Sequence, residues 1–120
     1  MNDHNTNLQE LKERVKLFTQ QRDWNQYHNP KNLSMSIGIE AAELMEIFQW
    51  ITIEDSINME SHQEFIHINE ELSDVILYCL SMANQLNIDI AESIENKMIK
   101  NSQKYPIKDS KVSGENNVKV

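Results

Sequence analysis

Glycine and proline are nearly absent from this chain, with two of each in 120 residues, where average usage would give about fourteen together. Tight turns, hairpins and Gly-rich phosphate loops draw on those residues. Their scarcity argues against a β-sandwich, a barrel or a Gly-rich nucleotide cradle, and leaves a helical chain with short connections. Cysteine occurs once, at Cys79, so no disulfide can close within the chain and a reducing compartment is the simpler reading. No window approaches the ~18 uninterrupted apolar residues of a membrane span. The opening MNDHNTN carries no apolar secretion-signal core. The expectation is a cytoplasmic protein with no membrane partner.

Basic residues are missing from the middle. All eleven Lys and Arg lie at or before Lys31 or at or after Lys97, whereas Asn32 to Asn96 holds thirteen Asp and Glu. The net charge is −8, the reverse of what a nucleic-acid surface needs, so no polymeric nucleic acid is expected as partner. A folded segment with so many carboxylates and no Lys or Arg must separate them, protonate some, or recruit cations.

What the chain does contain is helical periodicity. At 120 residues it is of single-domain size, since domains run to about 100–200 residues. Leu8, Leu11, Val15 and Phe18 recur at spacings of three and four and predict a first helix from about Asn7 to Trp24. Pro30 disfavours helix at Asn29 and suits the first turn of a second helix, Pro30 to about Trp50. In that helix Leu33, Ile37, Leu44 and Phe48 form one stripe, while Met35, Ile39, Met45 and Ile47 extend the apolar surface nearly all round. Such a helix is buried on more than one side, which points to a bundle core or a face covered by a second copy. Residues 51–60 read as a loop or a short helix.

Ser61 with Glu64 fits a capping box for a third helix ending near Leu86. It carries Phe65, Ile68, Leu72, Val75, Ile76, Leu80 and Ala83. Asp89 with Glu92 repeats the capping pattern for a fourth, ending at Tyr105 before Pro106. The expected organisation is an all-α four-helix bundle over 1–107, followed by a polar, disordered tail over 108–120.

Helical residues three and four apart share a face. Glu40 and Glu43 are therefore neighbours, with Trp50 seven further on. His67, Glu71, Asp74 and Tyr78 form a stripe on the third helix. Two facing helices that each offer a carboxylate pair would surround one space with oxygen ligands, the donor set of a hard cation such as Mg²⁺. Acidic residues at helical spacing are more often a solvated face. Here both pairs sit among apolar residues, in IGIEAAELMEIF and ELSDVILYCL, with no Lys or Arg four residues away. Uncompensated carboxylates in apolar helices are costly. Spacing alone leaves the solvated face and the metal site both open.

The blocks RDWNQYHNPKNL, EAAELMEIFQW, EELSDVILY and KMIKNSQKYP, in order over most of Arg22 to Pro106, resemble the MazG-like all-α nucleoside triphosphate pyrophosphohydrolases. Within that superfamily they are most similar to the dCTP pyrophosphatase branch. The resemblance implies Mg²⁺-dependent hydrolysis of a (deoxy)nucleoside triphosphate between the α and β phosphates, with dCTP or modified pyrimidine nucleotides favoured. It implies Glu40, Glu43, Glu71 and Asp74 as ligands to Mg²⁺, with Mn²⁺ able to substitute. Glu43 and Glu71 become the catalytic carboxylates, without a choice of which one activates water. Trp24 and Trp50 would flank the base, Tyr78 would lie toward the sugar, and Lys97 and Asn101 would approach the phosphates. For either Trp a core role is the plain alternative, as it is for Tyr78, and Lys100 and Lys104 suit the negative end of a helix dipole.

Two positions depart from the pattern. Ile39 stands where many members carry a first Glu, and Val15 stands where the dCTP branch has a histidine, which bears on base preference. His67 matches no ligand of the family and is read as supporting or incidental.

Two other functions remain to be weighed. Glu64-x-x-His67 is an ExxH motif as in di-iron carboxylate bundles, which use two such motifs; this chain has one, so a second copy would have to supply the other. A non-catalytic helical oligomerisation or regulatory module that merely binds Mg²⁺ is the alternative to an enzyme. The breadth of apolar surface on the second helix predicts a homodimer or homotetramer.

Overall fold

The structure, a computed structural model, describes residues 1–108. The expected tail thus lies, from residue 109 onward, outside the described residues. Five α-helices are present among them and no strand: α1 (Leu8–Gln21), α2 (Pro30–Phe48), α3 (Ile53–Ile57), α4 (Phe65–Leu86) and α5 (Ile90–Lys104). The all-α class holds among the described residues, and the segment 51–60, expected as a loop or short helix, contains α3 and the start of a 3-10 turn, Met59–Ser61. No helix among the described residues is long and apolar enough to cross a membrane.

The helix starts follow from local chemistry. Asn7, Asn29, Thr52 and Asp89 each sit in extended backbone and accept a hydrogen bond from the amide three residues on, at Glu10, Asn32, Asp55 and Glu92. Each thereby satisfies one of the orphan N–H groups of a first turn. Pro30 occupies the first turn of α2, where its missing N–H costs nothing. At the other end of α4, Asn87 takes the left-handed conformation (φ 54°), a stop that Asn accommodates better than most residues.

Three sequence expectations are corrected. The first helix stops at Gln21, because Asp23 turns left-handed (φ 56°) and Trp24 enters a separate 3-10 turn, Trp24–Gln26. The Ser61–Glu64 capping box does not form. Ser61 lies in the 3-10 turn, Glu64 caps α4 without a side-chain hydrogen bond, and its carboxylate is engaged by His67 instead. Finally, α2 ends at Phe48, so Trp50 stands in the following turn and the seven-residue helical projection from Glu43 does not reach it.

The chain divides into two units, one of Met1–Asn87 and a second that begins at Ile88. In the first, α4 is the centre, with α2 as its main partner and α1 against it as well. Leu33, Leu80, Ala83, Met59, Thr19 and Ser81 are buried, and the Asn84 side chain donates to the Lys12 carbonyl, tying α4 to α1. Leu33, Ile37, Leu44 and Phe48 face inward to differing degrees, whereas Met35, Ile39 and Met45 on the same helix are exposed. The second unit contains α5, capped by Asp89 and closed where the Tyr105 amide donates to the Asn101 carbonyl.

Candidate metal centre

The carboxylates that the sequence places on separate helices converge in space. Glu40 and Glu43 on α2 and Glu71 on α4 each offer an oxygen, and these oxygens all lie within 4.8 Å of one another. Asp74 is outside that set of three but near enough for its charge to act on Glu40 and on Tyr78. Glu40 thus answers to Glu71 and Asp74, Glu43 to Glu71, and His28 just before α2 to Tyr78. Rising numbers on α2 pair with falling numbers on α4, so the two helices run antiparallel, and the two carboxylate pairs meet at one level.

The electrostatics of this arrangement are unfavourable for bare carboxylates. Burial pushes the Glu40 carboxyl up from 4.5 to about 7, reinforced by hydrogen bonding and charge at Glu43, hydrogen bonding to Glu71 and the charge of Asp74. Glu40 Oε2 and Glu71 Oε2 are buried without a hydrogen-bond partner. Buried acceptors without donors cost free energy, and this stretch supplies no Lys or Arg to pay for them. A proton on Glu40 satisfies the cluster in part; a divalent cation satisfies it more completely, since three or four convergent oxygens with two orphaned lone-pair sites are the donor set hard cations take. The residues present therefore fit the ion.

Histidine flanks the cluster. His67 places Nδ1 2.9 Å from Glu64 and Nε2 3.3 Å from Glu71. The hydrogen bond to Glu64 is the main cause that raises its pKa; burial, the next largest effect, opposes it, and the charges of both glutamates add to the rise. Together with Glu43, Glu46, Ile47, Ile51 and His62, these residues line an open cleft of about 630 Å³ beside the carboxylates.

Aromatic rings approach from another side. Phe18 packs edge-on against Trp24 (centroids 5.6 Å), Trp24 against His28 (5.8 Å), and His28 against Tyr78 (6.0 Å). Burial, followed by the charges of Glu40, Asp74 and Glu43, raises the Tyr78 pKa, which keeps its hydroxyl a donor beside the carboxylates. Of the expected nucleotide contacts, Tyr78 thus borders the cluster and Trp24 is linked to Tyr78 through His28. Trp50 is not among them and stands 89% exposed. Lys97 and Asn101 are exposed residues of α5, four apart and so on one helical face. His28, whose Nδ1 is buried and unpartnered, was not singled out from sequence. It lies four residues after Trp24, but a 3-10 turn and loop intervene, so helical spacing gave no signal.

An antiparallel helix pair that brings three carboxylates within 4.8 Å of one another, among described residues that are all-α, defines an acidic helical protein with a candidate cation site. Residues 35–117 match the MazG-like family, and the chain belongs to it. It is 36% identical to mouse (Mus musculus) dCTP pyrophosphatase 1 over 91 residues, which cover 75% of this chain and 54% of that protein. The human (Homo sapiens) dCTP pyrophosphatase 1 is 38% identical over 90 residues, 74% of this chain and 53% of that one. The chain spans about half the length of these curated relatives. A crystal structure of a pyrophosphatase from Archaeoglobus fulgidus DSM 4304 superimposes with a TM-score of 0.78 at 36% identity, covering 89% of this chain and 99% of that chain.

Proposed function

We propose that this protein is a divalent-metal-dependent nucleoside triphosphate pyrophosphohydrolase that uses Mg²⁺ and releases a monophosphate and pyrophosphate. The observation that carries the reading is the convergence of Glu40, Glu43 and Glu71 with two buried, partnerless oxygens. Its support is family membership together with the names of the relatives.

Glu40, Glu43, Glu71 and Asp74 would hold the ion. When bound, the ion would neutralise phosphate charge and make water more acidic. The remaining work belongs to the chain. Glu43, the exposed member of the three, is open to solvent and suited to take the proton of the attacking water, while Glu71, fixed from behind by His67, is the second catalytic carboxylate. Trp24 and His28 offer a stacking surface for a base, a contact worth about 1–3 kcal/mol that discriminates poorly among bases. Tyr78 is a donor toward the sugar and Trp50 a second aromatic wall. Lys97 and Asn101 on α5 would meet the phosphates. The substrate favoured is dCTP or a modified pyrimidine deoxynucleotide, drawn from the cytoplasmic nucleotide pool.

Incubating the full chain with Mg²⁺ and a panel of nucleoside triphosphates, with chromatographic detection, tests the reaction. Monophosphate with equimolar pyrophosphate is the expected result, highest with dCTP or a modified cytidine. Mg²⁺ binding with no release of pyrophosphate from any nucleotide would instead mean a non-catalytic helical module.

A homodimer or homotetramer is the assembly proposed. Met35, Gly38, Ala42 and Met45 share one exposed face of α2 by their spacing, and Ile39 beside them is 59% exposed. A Cβ built on Gly38 meets nothing within 4 Å in this chain, so the glycine, which costs a helix interior about 1 kcal/mol relative to alanine, is not required by the chain's own packing. Close approach of a second copy accounts for it. Sedimentation at micromolar concentration should show a dimer or tetramer, and a stable, active monomer would contradict this assembly.

A further inference from the structure

We propose that His67 is a positioning residue: anchored by Glu64, it ties one oxygen of Glu71 and leaves the other free to ligate the divalent cation. The inference rests on the reading of the carboxylate cluster as a cation site and adds a residue to it.

The geometry is a three-link chain along one side of α4. Glu64, His67 and Glu71 are spaced three and four apart and therefore share a face. Glu64 Oε2 lies 2.9 Å from His67 Nδ1, and His67 Nε2 lies 3.3 Å from Glu71 Oε1. The Glu64 contact is a hydrogen bond and the Glu71 contact an ion-pair approach, so the ring is held between two carboxylates. The two oxygens of Glu71 become inequivalent. Oε1 faces the ring, while Oε2 is buried and has no hydrogen-bond partner. Between Asn32 and Asn96 there is no Lys or Arg, so a histidine is the only cationic donor this stretch can offer to Glu71. Glu64 forgoes its capping-box role to hold that histidine.

Two effects of the ring on a nearby cation oppose each other. Its positive charge repels the ion, and its hydrogen bond orients a ligand of the ion. The His67 side chain is 49% exposed and that of Glu71 only 13%. Water therefore screens the charge of the ring, whereas the hydrogen bond acts at contact on a carboxylate that is mostly withdrawn from solvent. Orientation should win. Groups that orient metal ligands are worth roughly 10- to 100-fold in affinity or activity, and a half-exposed ring belongs at the lower end.

The test is Mg²⁺ titration of the full chain, without nucleotide, by calorimetry on the wild type, His67→Leu and His67→Gln. Leucine should weaken Mg²⁺ binding about tenfold. Glutamine, whose amide still donates across the four-residue spacing, should stay within about twofold of wild type. In turnover, the leucine variant should need about tenfold more Mg²⁺ for half-maximal rate. Equal affinities for leucine and glutamine, or tighter binding by both, would overturn the proposal, because the ring would then act through its charge or not at all. Absence of Mg²⁺ binding in the wild type is a different result, the failure of the cation-site reading itself.

Discussion

Glu43→Gln and Asp74→Asn are each expected to lower nucleoside triphosphate turnover by about a thousandfold or more while the helical circular dichroism stays that of the wild type. Each exchange keeps shape and removes one charge from the set that would hold the ion. Electrostatic support of a phosphoryl reaction by a metal amounts to several kcal/mol, and about 4 kcal/mol corresponds to three powers of ten in rate. The fold should not suffer. Glu43 is exposed, and both charges act unfavourably on Glu40, so removing either one relieves repulsion in the metal-free state. Activity and stability should therefore move in opposite directions, as they do where a functional site is maintained at the expense of the fold. If both variants keep their activity, the cluster is not the reaction centre. A dead Glu43→Gln beside a working Asp74→Asn would confine the essential ligands to the three glutamates whose oxygens lie within 4.8 Å.

Much of this arrangement was legible in the amino-acid order, and what was not has identifiable causes. Helical period located α1, α2 and α4, because each turns one apolar stripe inward, and Asn29–Pro30 marks the start of α2; α5, which buries no residue, is marked instead by the Asp89 cap and by Pro106, local chemistry that acts over three residues. Same-face placement of Glu40 with Glu43, and of Glu71 with Asp74, follows from the same period. Their meeting requires the antiparallel register of α2 and α4, which is set by long-range packing around residues such as Leu33 and Leu80 and has no local signature. Local signals failed where a second partner competed. Ser61 and Glu64 have capping-box spacing, but the Glu64 carboxylate is drawn to His67. Trp24 and Trp50 were projected along helices that end before reaching them, at Gln21 and Phe48, and only Trp24 turns back toward the cluster through His28 and Tyr78. The breadth of apolar surface on α2 was legible too, and its exposed Met35, Ile39 and Met45 show that this chain alone does not bury it.

The metal-free protein should become less stable as pH rises from about 4.5 to about 7, and saturating Mg²⁺ should flatten or reverse that trend. Burial and the neighbouring carboxylates lift the Glu40 carboxyl from 4.5 to about 7. The folded state thus holds a proton that the unfolded chain has already released, and stability falls with pH between those two values. The stabilisation is complete below about 4.5 and gone above about 7. His67, also raised, acts in the same direction. A divalent ion replaces the proton. Because a proton on Glu40 competes with the ion, Mg²⁺ binds more tightly as pH rises, and its contribution to stability grows where that of the proton fades. Glu40→Gln separates the two effects, since the amide cannot titrate. Urea unfolding of metal-free Glu40→Gln should show most of the pH slope removed, a midpoint above that of the wild type at pH 8.5, and little response to Mg²⁺. A wild type that gains stability with pH in the absence of metal, or a Glu40→Gln variant that keeps the full slope, would mean that the proton does not reside on Glu40, and that the cluster meets its excess charge in some other way.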